Sequence, residues 1–295
     1  MPVSAVLENA SLRAVFLPEL GGKLWQLVDK RTGFDLLWQH PSLAPRAVPF
    51  GSPYDDVFFG GWDELFPNDV PEVLGGVARP DHGEVWSMPW EWSELSPSSA
   101  RLAVSPGVCR VSKVVTLDGA SLRFRYRIVN EGADPLPYLW KPHVAVALDD
   151  DSLVELEAGT MLVDPWGSPR GGLGGASYTW PYAVGADGVT YDLRTTLPSS
   201  SGVSELQYAT SLERGWCAVR HPSRGTGLGL SFDASVLRSC WTFASYGGWR
   251  DLRVLVLEPC TGYPLSVLDG VAAGSHQVLA AGGVVSCDMT ASVLS

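Results

Sequence analysis

"SLRFRYRIVN", residues 121–130, alternates without a break: Leu122, Phe124, Tyr126 and Ile128 fall on one side, and Arg123, Arg125 and Arg127 on the other. A repeat of two is that of a strand with one buried face. Directly upstream, "CRVSKVVTLD" (109–118) is a second run of β type, joined to the first through Asp118-Gly119, a turn signal. The two runs predict an antiparallel hairpin with its apolar side on a core.

The same kind of segment recurs along the chain. "LRAVFL", "KLWQLV", "ARLAVS", "YLWKPHVAVAL", "LVELEA", "SELQYATSL", "WCAVRH", "GLGLSF", "SCWTFAS", "RVLVLE" and "VVSCDMTASV" all read as short strands, with Gly, Pro, Ser and Asp in the gaps. With 32 Gly and 22 Pro among 295 residues and no sustained three- and four-residue apolar spacing, long helices have little room. The expectation is an all-β sandwich of antiparallel sheets. No break in composition divides the chain, so a single domain over residues 1–295 is expected, with "SPRGGLGGAS" (168–177) and "LPSSSG" (197–202) as surface loops.

Composition narrows the function. A formal net charge of −11 with scattered Lys and Arg disfavours a nucleic-acid partner. No apolar run is long enough for a membrane-spanning helix, and the chain does not open on a basic stretch followed by an apolar one, so a cytoplasmic protein is expected. Five widely spaced cysteines offer neither a disulfide framework nor a C-x-x-C zinc pair and read as buried thiols. "GGLGGA" and "GTGLGLS" miss the G-x-G-x-x-G spacing, leaving no support for a nicotinamide or flavin cofactor.

Several polar residues sit where chemistry could occur. Glu258, in "RVLVLEPCTGYP", follows the four apolar residues Val254 to Leu257, which mark a strand buried on both faces. Such a carboxylate must meet a donor or cation, sit in a wet cleft, shift its pKa upward, or point into solvent as the strand emerges. Pro259 would end the ladder there. His143 stands at the entry of the strand in "YLWKPHVAVAL", beside Trp140 and Lys141, and taken alone such a strand histidine is more often structural than catalytic. His82 and Glu84 flank Gly83 in "RPDHGEVWSMPWEW" (79–92), where His82 looks like a turn residue and Trp86, Trp90 and Trp92 follow. "GGWDELFPN" (60–68) reads as a turn with a short helical turn and solvated Asp63 and Glu64, and "LDDDS" (148–152) as a solvated loop that could hold a hard cation weakly. Trp62, Trp86, Trp90, Trp140, Trp241 and Trp249 lie close in sequence to these groups, and aromatic platforms beside polar groups suit a sugar.

Four segments, taken in order, resemble the galactose mutarotase (aldose 1-epimerase) superfamily. They are "LENASLRAVFLPELGGKLWQLVDKRTGFDLLW" with its P-x-x-G-G turn, "DHGEVW", "YLWKPHVAVAL" and "LVLEPCTGYP". The resemblance implies a β-supersandwich with an open cleft on one sheet that binds a monosaccharide, and an enzyme that interconverts its anomers without metal or redox cofactor. It implies Glu258 as general base, His143 as general acid and His82 as a supporting group. Lys23, Trp62, Asp63, Glu64, Arg79, Glu84, Trp86, Lys141 and Trp241 form the candidate substrate-binding set. The chain departs from the family in carrying Lys23 after the glycines and "GGWDELFPN" in place of an arginine segment. Alternatives are a carbohydrate-binding protein without turnover and a hexose-phosphate epimerase, with Lys23, Arg79, Lys141, Arg170 or Arg250 clamping the phosphate.

Overall fold

The hairpin forms as the alternation predicts. Cys109–Asp118 and Ser121–Asn130 pair antiparallel, with Gly119 and Ala120 as the two turn residues. Gly119 has φ +58°, a conformation a side chain disfavours. Leu122, Phe124, Tyr126 and Ile128 are buried while the three arginines between them reach solvent. Each large apolar side chain removed from water in this way contributes roughly 1.5–3 kcal/mol.

The computed structural model describes residues 2–295. The hairpin lies in an eight-stranded antiparallel sheet, flanked by Ser99–Val104 on one side and Val284–Leu294 on the other. A second, thirteen-stranded sheet packs on it, and its middle runs Lys23–Asp29, Trp62–Leu65, Lys141–Val146, Arg253–Cys260, Ser239–Tyr246 and Val203–Ala209. Side chains from both sheets share one core: Trp62 packs on Phe124 with ring centroids 4.7 Å apart. The one α-helix among the described residues, Val267–Ala273, has only seven residues.

Three local expectations are corrected. Residues 60–68 are not a turn with solvated carboxylates: Trp62–Leu65 is a strand with all four residues buried. Alternation sends Trp62 and Glu64 toward the other sheet and Asp63 and Leu65 away from it. Glu64 is tolerated there because Lys113, Tyr126 and Trp140 donate to it at 3.1, 2.9 and 3.2 Å. Segment 168–177 is not simply a loop at the surface, since Arg170 is buried and grips Glu205 through two nitrogens. Pro259 does not end its ladder: the strand continues to Cys260, with Pro259 opposite Cys240. In "LDDDS" the carboxylates are engaged by Arg224, Ser223 and Arg253. Among the described residues no cluster of three metal-ligating side chains exists, and no helix is long and apolar enough to cross a membrane.

Candidate active site

Strand pairing assembles the site. On the larger sheet Tyr208 lies opposite Trp241, Trp241 opposite Glu258, and His143 opposite Asp63. Val144 pairs with Leu257, so one residue further on His143 is level with Glu258 on the adjoining strand. Level residues on neighbouring antiparallel strands share a face. One row thus runs Tyr208, Trp241, Glu258, His143, Asp63, on the face turned away from the smaller sheet. Lys141 joins it two residues before His143. A parallel row, Leu206, Phe243, Val256 and Ala145, supplies apolar surface beside it.

Over these rows lies a cleft of about 260 Å³ lined by Glu258, His143, Lys141, His82, Asp69 and Asp81 among others. Phe58, Trp166, Phe243 and Trp249 supply its aromatic wall. His82 arrives from a turn whose backbone is tightly held. It has φ +58°, its N–H donates to the Asp69 carbonyl at 2.5 Å, and a Cβ on the next residue, Gly83, would run into the Phe66 backbone. That turn carries Asp81, whose Oδ1 lies 2.9 Å from His82 Nδ1.

Charge is concentrated and paired. The Lys141 ammonium makes a short contact to Glu258 Oε2 and lies 2.6 Å from Asp69 Oδ2, over the Trp241 ring at 3.9 Å from its centroid. Burial would lower Lys141, but Asp69 and Glu258 outweigh it and hold it above its ordinary value. Burial raises Glu258, Lys141 reverses part of that rise, and Asp69 adds to it, leaving the carboxyl above its ordinary range. Burial would likewise lower His82, yet the Asp69 charge and the Asp81 hydrogen bond hold it above the usual imidazole value. His143 goes the other way: burial, then the charges of Lys141 and His82, push it well down.

The remaining expected binding residues do not reach this cleft. Trp62 and Glu64 point into the core between the sheets. Arg79 and Glu84 form a buried ion pair at 2.6 Å to one side. Lys23 and Asp63, 2.5 Å apart, lie behind Tyr54. Trp86 packs edge-on against Tyr54, its indole N–H given to the Asp81 carbonyl at 3.3 Å. Trp241 is fully buried beneath Lys141, its N–H donating to the Gly262 carbonyl at 2.8 Å. Of the tryptophans with candidate roles, Trp249 alone lines the cleft, and Trp166 joins it from a segment that carries no such signal.

No protein-family model matches the sequence, and no curated protein matches it. Solved structures do. A candidate aldose 1-epimerase from Escherichia coli K12 is 18% identical and superposes with a TM-score of 0.72 over 99% of this chain and 98% of its own. A galactose mutarotase-like protein from Lactobacillus casei is 18% identical, with a TM-score of 0.66 over 99% of this chain and 100% of its own. One from Clostridium acetobutylicum is 13% identical, with a TM-score of 0.69 over 98% and 94%.

The chain has the galactose mutarotase-like fold. At such identities the likeness establishes architecture, and what the cleft does must be argued from its own side chains.

On this galactose mutarotase-like scaffold, Tyr54 is the important residue that periodicity does not reveal. Its ring stacks on His82 at 4.3 Å, stands edge-on to His143 at 5.3 Å, and its hydroxyl lies 3.2 Å from His143 Nδ1. The segment "SPYDDVFFGG" (52–61) carries the only hint, acidic and aromatic residues crowded before a Gly pair. Asp69 is equally unmarked in sequence, and Asp81 is visible only as the neighbour of His82 in "DHGEVW". Chemically, the cleft offers four carboxyl groups, two imidazoles of opposite tendency and an apolar wall, with the one lining ammonium already shared by two of the carboxyls.

Proposed function

We propose that the cleft binds an uncharged aldose and interconverts its anomers by opening and reclosing the ring. The observation that supports this most is the meeting of Glu258, His143 and His82 at one aromatic-walled cavity. An anomeric exchange needs a group that takes the O1 proton and another that gives a proton to the ring oxygen, each within about 2.6–3.2 Å of the proton it moves. Glu258 takes the O1 proton, the bond between C1 and the ring oxygen breaks as that oxygen is protonated, and the open aldehyde rotates about C1–C2 before reclosing. A raised carboxyl is a stronger base than a free one and suits this step. The family resemblance gives the donor role to His143; the surrounding charges favour His82, the imidazole whose pKa Asp69 and Asp81 hold above its usual value.

The uncharged substrate follows from the cations. Lys23 is committed to Asp63, Arg79 to Glu84, Arg170 to Glu205 and Arg250 to Asp56. Only Lys141 of this group lines the cleft, and Glu258 and Asp69 already share it. Asp55, Asp69, Asp81 and Glu258 outnumber Lys141 and His82, so a phosphate or uronate would enter against the field.

Anomer exchange measured by saturation-transfer NMR across a panel of neutral hexoses and pentoses tests the reading. Acceleration of at least one sugar is expected, with Glu258→Gln lowering it by roughly 10²–10⁴-fold, the contribution of one general acid–base group. No acceleration of any sugar, or an unchanged rate in Glu258→Gln, would sink it. The wall formed by Phe58, Trp166, Phe243 and Trp249 would also serve a protein that holds a sugar without turnover. Calorimetric binding without exchange would select that second reading.

A further inference from the structure

The hydrogen-bond chain behind the cleft has a direction, and the direction decides which proton His143 carries. Lys23 Nζ donates to Asp63 Oδ2 at 2.5 Å and to the Gly60 carbonyl at 2.8 Å. The Tyr54 hydroxyl meets the same Asp63 oxygen at 2.7 Å and His143 Nδ1 at 3.2 Å. An ionised carboxylate can only accept, and a phenol has one hydrogen. That hydrogen must lie between Tyr54 and Asp63, because otherwise two oxygen lone pairs would face each other at 2.7 Å inside the protein. Tyr54 then has only lone pairs left for His143, so Nδ1 must bring the hydrogen to that contact.

We infer that Lys23, Asp63 and Tyr54 are positioning residues that fix His143 as its Nδ1–H tautomer and so present a bare Nε2 lone pair to the cleft. Nε2 has no protein partner and is not sealed from the cavity that His143 lines. In the resting protein His143 is therefore a proton acceptor. In that state Nε2 can accept a hydrogen bond or a proton from a sugar hydroxyl and has no proton of its own to give to the ring oxygen.

The arrangement also explains why two charged residues occupy buried positions behind the cleft. Asp63 and Lys23 do not line the cleft, whereas Tyr54 lines it with its hydroxyl engaged by Asp63 and His143. Asp63 Oδ1 makes no hydrogen bond, which leaves Oδ2 as the oxygen that gathers both donors. Geometry fixes the Nδ1–H, and burial with the nearby Lys141 and His82 charges favours the neutral ring that leaves Nε2 bare; the consequence for turnover rests on the proposed anomer exchange.

The test is the nitrogen-15 NMR signature of the His143 ring at neutral pH, assigned with the His143→Gln variant. Expected is a pyrrole-type Nδ1 and a pyridine-type Nε2. Tyr54→Phe removes the acceptor and should give a mixture of tautomers. Lys23→Met/Asp63→Val removes the buried ion pair together, a replacement that is often close to neutral for stability. It leaves Tyr54 with His143 as its only partner, so the phenol hydrogen turns to Nδ1 and the ring pattern should invert to Nε2–H. A pyrrole-type Nε2 in the unaltered protein, or the same Nδ1–H pattern in every variant that folds, overturns the proposal. If neither variant folds, the unaltered protein's spectrum still decides it. Where a sugar is turned over, Tyr54→Phe should lower kcat with KM little changed, by less than the roughly 10²–10⁴-fold expected for a group that itself moves the proton. Absence of turnover with the predicted ring pattern would reject the proposed reaction and leave the tautomer standing.

Discussion

Replacing Lys141 by Met removes the one ammonium between two buried carboxylates. The side chains of Lys141, Asp69 and Glu258 are 3%, 4% and 2% exposed, so solvent screens little of the loss. Breaking a buried ion pair by deleting one partner costs about 3–5 kcal/mol. At about 2 °C per kcal/mol, the lower end for chains of this size, Tm should fall by roughly 6–10 °C. The pH dependence gives the sharper check. Glu258 is raised by burial even beside Lys141, and without that cation its folded pKa rises further above the unfolded one, so folding is unpenalised below the unfolded range and loses stability as pH rises through the folded value. Urea denaturation of the variant and the unaltered protein at about pH 5 and about pH 8 measures this, and the difference should be larger at the higher pH. An equal loss at both pH values, or a total loss below about 1 kcal/mol, would refute the placement of Lys141 as the buried cation paired with Glu258 and Asp69.

Asp69→Asn should move both limbs of a kcat/KM profile to lower pH, because Asp69 raises both Glu258, which must be ionised, and His82, which must be protonated; a pH titration of anomer exchange reads both limbs. Glu64→Leu and Lys113→Met should each cost about 3–5 kcal/mol in denaturant titrations, and the double variant far less than their sum, since their side chains are fully buried and paired with each other, with only neutral donors and the Trp90 ring besides. All five cysteines are buried and free, so a thiol reagent should modify none of them until the protein is unfolded. A fast-reacting thiol in the native protein would contradict that packing.

Much of the architecture is legible in local pattern. Strict alternation marks 121–130, the apolar run before Glu258 marks a strand covered on both faces, and short strands separated by Gly and Pro mark an all-β sandwich. The order of the four family-like segments points to the histidines and the late glutamate. Local pattern fails at 60–68, where two adjacent carboxylates look solvated. Each is buried because a lysine from a distant strand reaches it: Lys23 for Asp63, Lys113 for Glu64.

The sequence by itself determined the strands, their turns and the residue types able to move protons, because these follow from side-chain period and backbone chemistry within a few residues. Only the tertiary structure decided which of two neighbouring acids faces the cleft side of the sheet and which the core. A strand shifted by one residue turns every side chain to the opposite face, and the shift is fixed by partners far away in the chain. The same holds for Tyr54 and Asp69: their importance comes from distances to His143 and Lys141 that no spacing along the chain encodes.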